Sequence, residues 1–268
     1  MTSLEIITRR PAGPARPIPL LFVHGAYCGA AIWDMHVLPW FAARGWEAHA
    51  VSLRGHGGSD GHDCLAWHSL ADYVDDVLRT MDGLDRPPVL IGHSMGGMVV
   101  QRVLLRRAAP AAVLMASAPP QGLWQSTLGL AARHPRVLAQ MSVLLTLGKE
   151  HVDLEEIRPA LFSDRMDPAE MERFVPLLQS ESRRVLMEML AWSPFPPLPP
   201  PSIPILVLGA EEDLLIPPEQ VRMTARALST TATLFPGMAH AMMLEPGWED
   251  VAKTIDGWLS ATLAARAA

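Results

Sequence analysis

Ser94 stands in the run Gly92-His93-Ser94-Met95-Gly96-Gly97, preceded by Val89-Leu90-Ile91 and followed by Met98-Val99-Val100. An apolar strand that turns through G-x-S-x-G straight into a helix leaves the serine strained and its hydroxyl exposed. A β-carbon at position 92 or 96 is expected to strike the opposite limb of that turn, and Gly97 to let the helix pack closely. The chemistry this suits is nucleophilic catalysis. A hydroxyl is a weak nucleophile near neutral pH, so it needs a base, and the base needs a carboxylate to orient it.

On a strand–helix elbow of this kind the acid and the histidine follow the serine in that order. Three histidines lie downstream: His134, His151 and His240. The first two fall in polar contexts within a helical stretch. His240 closes Phe235-Pro-Gly-Met-Ala-His240, directly after the last apolar strand pattern, and is the expected base. The acid is expected from Glu211-Glu212-Asp213, at the end of the preceding strand. Asp213, before the Leu-Leu-Ile-Pro turn, is the first choice and Glu212 the alternative. A tetrahedral intermediate further needs backbone donors for its oxyanion. Met95 N–H at the helix start is one. Ala26 N–H, in the loop after Phe22-Val23-His24-Gly25, is the other, with Tyr27 as the fallback. His24, His56 and His93 flank glycines and read as hydrogen-bonding turn residues.

These residues need a frame. Apolar runs at 18–23, 47–53, 88–92, 112–116, 203–208 and 231–235 alternate with amphipathic stretches at 69–83 and 248–263. That rhythm predicts a mostly parallel sheet covered on both faces, an α/β fold. It breaks between 121 and 202, where only helical patterns occur, at 123–147, 168–179 and 182–192. The expected division is therefore a core of 1–120 and 202–268, with 121–201 as an inserted helical cap. The proline-rich run 194–201 is expected to act as a stiff tether. Candidate pocket residues are Tyr27 and, from the cap, Trp124, Met141, Leu145 and Trp192, with Leu123, Leu138 and Met189 on the same apolar stripe. No repeat of 20–50 residues is visible.

Composition narrows the classes further. The 268 residues are 49% hydrophobic, enough for a large core, and the net charge is −6. Only Lys149 and Lys253 are lysines, and the arginines are scattered, so nucleic acid is not the expected partner. No run approaches the ~18 apolar residues of a membrane span. The first ten residues lack the pattern of a signal peptide, which sets a cytoplasmic expectation with Cys28 and Cys64 reduced. His56, His62, Asp63 and His68 lack metal-ligand spacing, and Gly55-His-Gly57-Gly58 lacks the third glycine of a dinucleotide fingerprint. Neither a metal nor a cofactor is expected. Oligomeric state is left open.

Taken together, Phe-Val-His24-Gly25, Leu53-Arg-Gly-His-Gly57-x-Ser59, Gly92-His-Ser-Met-Gly96-Gly, Gly209 to Pro217 and Gly237-x-x-His240 resemble the α/β-hydrolase superfamily. Within it the chain is similar to capped bacterial esterases and lysophospholipase-like hydrolases. The resemblance covers roughly residues 18–120 and 202–262 and does not extend to the cap. It implies Ser94, Asp213 and His240 as a catalytic triad, with Met95 and Ala26 forming the oxyanion hole. One residue more than the common Gly-x-x-Asp spacing precedes Asp213, which keeps Glu212 in play. The expected activity is hydrolysis of a small carboxylic ester with an apolar acyl group. Thioester, lactone or amide hydrolysis, perhydrolysis and carbon–carbon cleavage are alternatives on the same triad. A non-catalytic binding module is the remote one. A serine at position 94 argues against epoxide hydrolases and dehalogenases, which need a carboxylate there.

Overall fold

The computed structural model describes residues 2–191 and 203–267, so Trp192 and the proline run 194–201 lie outside the described residues. Among the described residues, seven strands form one sheet: β1 (Ile6–Arg9), β2 (Leu20–Val23), β3 (Ala48–Val51), β4 (Val89–His93), β5 (Ala112–Met115), β6 (Ile205–Ala210) and β7 (Ala232–Phe235). Their order is β1-β3-β2-β4-β5-β6-β7. Strand β1 pairs antiparallel with β3, and all other pairs are parallel. Sequence patterning missed β1. It is four residues long, lies at the sheet edge and leaves Ile6 exposed, so it lacks the all-apolar signature of the inner strands.

From β2 the chain crosses to β3 on one side, then returns to β4 on the other side of β2, with Val23 in register beside Gly92. The carboxyl ends of β2 and β4 thus flank the crevice where connections diverge, the place where open α/β sheets bind ligands. Short helices α1 (Ala31–Asp34) and α2 (Val37–Ala42) follow β2, α3 (Leu70–Asp82) follows β3, and α4 (Met95–Leu104) follows β4. Helix α3 begins at a capping box, in which the Ser69 hydroxyl accepts from Asp72 N–H and the Asp72 carboxylate accepts from Ser69 N–H.

Between β5 and β6 lie α5 (Trp124–Arg133), α6 (Pro135–Leu147), α7 (Leu154–Leu161), α8 (Pro168–Phe174) and α9 (Arg183–Leu190). The single helix expected over 123–147 is two. His134 leaves the helical region before Pro135, which then opens α6, because proline crowds the residue before it yet suits a first helical turn. Helix α7, capped by Asp153, was not anticipated from its short pattern. Helices α10 (Pro218–Ala227) and α11 (Trp248–Ala267) complete the chain.

Successive strand residues point to opposite faces. On one face Leu20, Phe22, Val89 and Ile91 pack with Trp33, Phe41 and α11 residues Ile255 and Leu259. On the other, Leu21, Val23, Leu90 and Leu114 pack with Tyr73, Val77, Val99 and Val221 from α3, α4 and α10. Sheet residues buried on both faces explain the near-continuous apolar runs. Among the described residues no helix is long and apolar enough to cross a membrane.

Candidate active site

Ser94 links β4 to α4 with φ 53° and ψ −118°, a left-handed conformation that costs about 1–3 kcal/mol and persists only when its surroundings enforce it. Those surroundings are close-packed backbone. A β-carbon on Gly92 would lie 2.5 Å from Gly96 O, the opposite limb of the turn. One on Gly96 would come within 2.3 Å of Val23 O and 2.4 Å of His24 O. The expectation for Gly96 is thereby corrected: it makes room for the end of β2, not for the other limb.

Asp213 is buried in the loop after β6, while Glu211 and Glu212 are exposed. Its Oδ1 accepts from Leu215 N–H and Ile216 N–H, each at 2.8 Å. Its Oδ2 lies 2.8 Å from His240 Nδ1. A carboxylate can only accept, so Nδ1 is the donor, a bond that in the neutral imidazole leaves the lone pair on Nε2. Met238 C=O accepts from Glu212 N–H, which ties the two loops together one residue ahead of Asp213.

His93 supports His240 from the other side. Its Nε2–H donates to His240 C=O at 2.8 Å, and the two rings lie 4.7 Å apart. Burial, then the neighbouring His240, hold the His93 pKa well below the usual histidine range, so the ring serves as a neutral donor.

The turn after β2 approaches Ser94 closely. A β-carbon on Gly25 would lie 2.9 Å from His93 Nδ1 and 3.1 Å from Ser94 Cβ. His24 Nδ1–H donates to Gly25 C=O at 2.8 Å while its Nε2 accepts from Leu53 N–H at 3.0 Å. Burial, and secondarily His56, lower the His24 pKa to about 3, which keeps that tautomer neutral. Gly25 C=O and Ala26 N–H share one peptide plane, so the bond from His24 also sets where the Ala26 donor points. Met95 N–H, at the first position of α4, has no intrahelical acceptor. Tyr27 N–H, the fallback donor, is directed at Glu181 Oε2, 3.3 Å away.

A cavity of about 230 Å³ opens on Ser94, His240, Gly25, Ala26 and Tyr27. Its far walls are Leu130, Leu138, Met141, Leu144, Leu145 and Met189 of the inserted helices, with Leu123 just ahead of α5. The structure therefore brings Tyr27, Met141 and Leu145 to one cavity. It does not bring Trp124 there: Leu123, Ser126, Thr127 and Leu130 take the cavity side of α5, and Trp124 falls on its flank. Cys28 also lines the cavity, and burial followed by Glu181 pushes its thiol up to about 12.

A family model described as the alpha/beta hydrolase family matches residues 20–254. The chain belongs to that family. Over 113 residues it is 38% identical to the non-heme chloroperoxidase of Streptomyces lividans, a match spanning 40% of this chain and 40% of that relative's length. Over 245 residues it is 24% identical to the monoacylglycerol lipase of Mycolicibacterium smegmatis, covering 84% and 81% of the two chains. It is similar in structure to a thermophilic esterase from Thermogutta terrifontis, with a TM-score of 0.74, 22% identity and coverage of 97% and 93%.

Two features of this α/β hydrolase were not read from its sequence. Ala241 N–H, next to His240, donates to Leu161 C=O at the end of α7. Four residues on, the buried Glu245 accepts from Ser163 N–H and from Ser163 Oγ at 2.7 Å. The inserted helices are thus bonded to the loop that carries His240. The partners stand 80 or so positions apart, and no local pattern marks them. Burial raises the Glu245 carboxyl above its usual range, and the Ser163 hydrogen bonds only partly offset that.

Proposed function

We propose that this α/β hydrolase is a serine hydrolase that cleaves small carboxylic esters with an apolar acyl group, through an acyl-enzyme on Ser94. One observation carries the reading: the strained Ser94 and the Asp213-bonded His240 open on the same apolar cavity, beside the Ala26 and Met95 amides. Ser94 Oγ attacks the ester carbonyl as His240 Nε2 takes its proton. Asp213 holds the imidazole and stabilises the imidazolium. Charge on the carbonyl oxygen is met by Ala26 N–H and Met95 N–H. Collapse expels the alcohol, protonated by His240, and water repeats the sequence on the acyl-enzyme to release the acid.

The inserted helices act as a cap over this site. Their leucines and methionines make an apolar wall, and each methylene buried against it is worth roughly 0.8 kcal/mol, or about fourfold in kcat/KM. The esterase and lipase names among the relatives support the ester reading. The test is covalent labelling joined to a chain-length series. A fluorophosphonate should add one mass, on the peptide containing Ser94, and Ser94→Ala should lose about 10⁶ in kcat. Nitrophenyl ester hydrolysis should rise from acetate toward medium chains. Equal labelling of Ser94→Ala, or a steady fall from acetate upward, rejects the nucleophile or the apolar pocket respectively.

A further inference from the structure

The segment between α8 and α9 reaches across to the turn that carries the oxyanion donor. Gln179 N–H donates to Tyr27 C=O at 2.8 Å, and Tyr27 N–H lies 3.3 Å from Glu181 Oε2. Both backbone polar groups of Tyr27 are therefore taken by one stretch of the inserted helices. Tyr27 is also a non-glycine residue in left-handed conformation, at φ 63°. Such a conformation is unfavourable for a bulky side chain and has to be held by its neighbours.

Glu181 is itself tightly held. Its Oε1 accepts from Tyr73 O–H at 2.7 Å and from Ser182 N–H at 2.6 Å, and its Oε2 lies 3.2 Å from His56 Nε2. Both side chains are fully buried. Burial is the strongest single influence on His56 and lowers its pKa. The charge and hydrogen bond of Glu181, with backbone bonds at Arg54 and Leu53, together outweigh it, and the net shift is upward. For Glu181 the raising effect of burial is overcome by His56, Tyr73 and Ser182. Burying an ion pair gains little stability over an apolar pair of the same shape. Its value here is directional. The peptide carrying Ala26 N–H is fixed on one side by the His24 bond to Gly25 C=O and on the other by the hold on Tyr27.

We propose that Glu181, supplied by the inserted helices, is a positioning residue for the oxyanion turn. Its carboxylate holds the left-handed backbone at Tyr27 and so aims Ala26 N–H at the developing oxyanion. This rests on the acyl-enzyme reading above. It makes the cap a working part of transition-state stabilisation as well as a ceiling over the acyl chain. In Glu181→Gln the new amide must turn its NH₂ toward either Tyr27 N–H or Ser182 N–H, neither of which can accept, so one side of the hold is lost whichever way it flips.

An oxyanion forms only in the transition state, so a misaimed donor lowers kcat and leaves KM nearly alone. Complete loss of one donor costs about 10²–10³. Partial misalignment in Glu181→Gln should cost about 10- to 100-fold in kcat per active site, with KM within about threefold. Sites are counted by the end-point of fluorophosphonate labelling, which removes any contribution from unfolded protein. The Ki of an alkyl trifluoromethyl ketone, whose hemiketal oxygen occupies the same hole, should rise in parallel with the fall in kcat. Tyr73→Phe removes one bond to Glu181 and keeps the charge, so it should move both quantities the same way by about two- to fivefold. Should Glu181→Gln fail to fold, Tyr73→Phe decides. Unchanged kcat per site and unchanged ketone Ki in folded variants, with only a lower Tm, would overturn the proposal. Wild-type protein that takes no label at Ser94 would instead overturn the hydrolase reading, and this inference with it.

Discussion

Replacing Asp213 with asparagine tests the acid–base pair most sharply, because the surrounding bonds dictate how the amide must sit. In the wild type one carboxylate oxygen accepts from Leu215 N–H and Ile216 N–H and the other from His240 Nδ1–H. The side-chain amide of Asp213→Asn can keep its carbonyl oxygen on the two backbone N–H groups or turn it toward His240. Turning it would set an NH₂ against two buried N–H donors, at about 1–3 kcal/mol for each backbone amide left unpaired. The first arrangement is therefore favoured, and it presents an N–H to His240 Nδ1. The imidazole must then accept at Nδ1 and carry its proton on Nε2, where it can no longer take one from Ser94. With this wrong tautomer kcat should fall about 10⁴-fold, near 5 kcal/mol of barrier, while KM and Tm change little. Asp213→Ala imposes no tautomer but strips the acceptor from both amides, so it should lose more stability than Asp213→Asn and no more activity. The assay is steady-state hydrolysis of a medium-chain nitrophenyl ester, with sites counted by fluorophosphonate and melting followed in parallel. Glu212→Gln, at an exposed neighbour, is the control and should stay within about threefold of wild type. Asp213→Asn retaining more than a tenth of wild-type kcat would refute the assignment, as would a larger loss in Glu212→Gln.

Gly96→Ala should destabilise the whole core, since its β-carbon would meet two carbonyl oxygens of β2 and the residue after it within 2.4 Å. Overpacking of that kind costs about 1–3 kcal/mol or more, so a Tm loss of roughly 5–10 °C is expected by calorimetry. Met141→Ala and Leu145→Ala enlarge the cavity wall and should shift the preferred acyl chain longer by about one or two carbons in the kcat/KM series, with acetate little affected. Glu245→Gln can keep both bonds to Ser163, because the amide oxygen accepts from N–H while its NH₂ donates to Oγ. A carboxyl whose folded pKa is raised contributes stability at low pH and loses it as pH rises through that value. The variant cannot ionise, so its Tm should gain on wild type between about pH 4 and pH 8, and a gap that narrows with pH would contradict the burial argument.

Much of the candidate site was legible because its determinants are local. The strand, tight turn and helix around Ser94 occupy a dozen consecutive residues, and sterics alone demand the glycines there. His240 could be found because chain order and the last strand pattern leave few alternatives. The parallel core was legible for a similar reason: strands covered on both faces must be apolar throughout. Among the adjacent Glu211, Glu212 and Asp213 the sequence could only rank Asp213 ahead of Glu212. The tertiary structure shows that Asp213 alone of the three is buried and bonded to His240. It alone showed that β2 and β4 sit side by side at the crossover, which brings Gly25 against Ser94 and Ala26 to the same cavity. It split the helix expected over 123–147 at His134 and placed Trp124 off the cavity wall, both consequences of one proline and one helical rotation. The hold of Glu181 on Tyr27 joins residues 154 positions apart. Periodicity and motif spacing report what neighbouring residues must do together. A buried carboxylate and its distant partners are specified only by the packing that removes them from water.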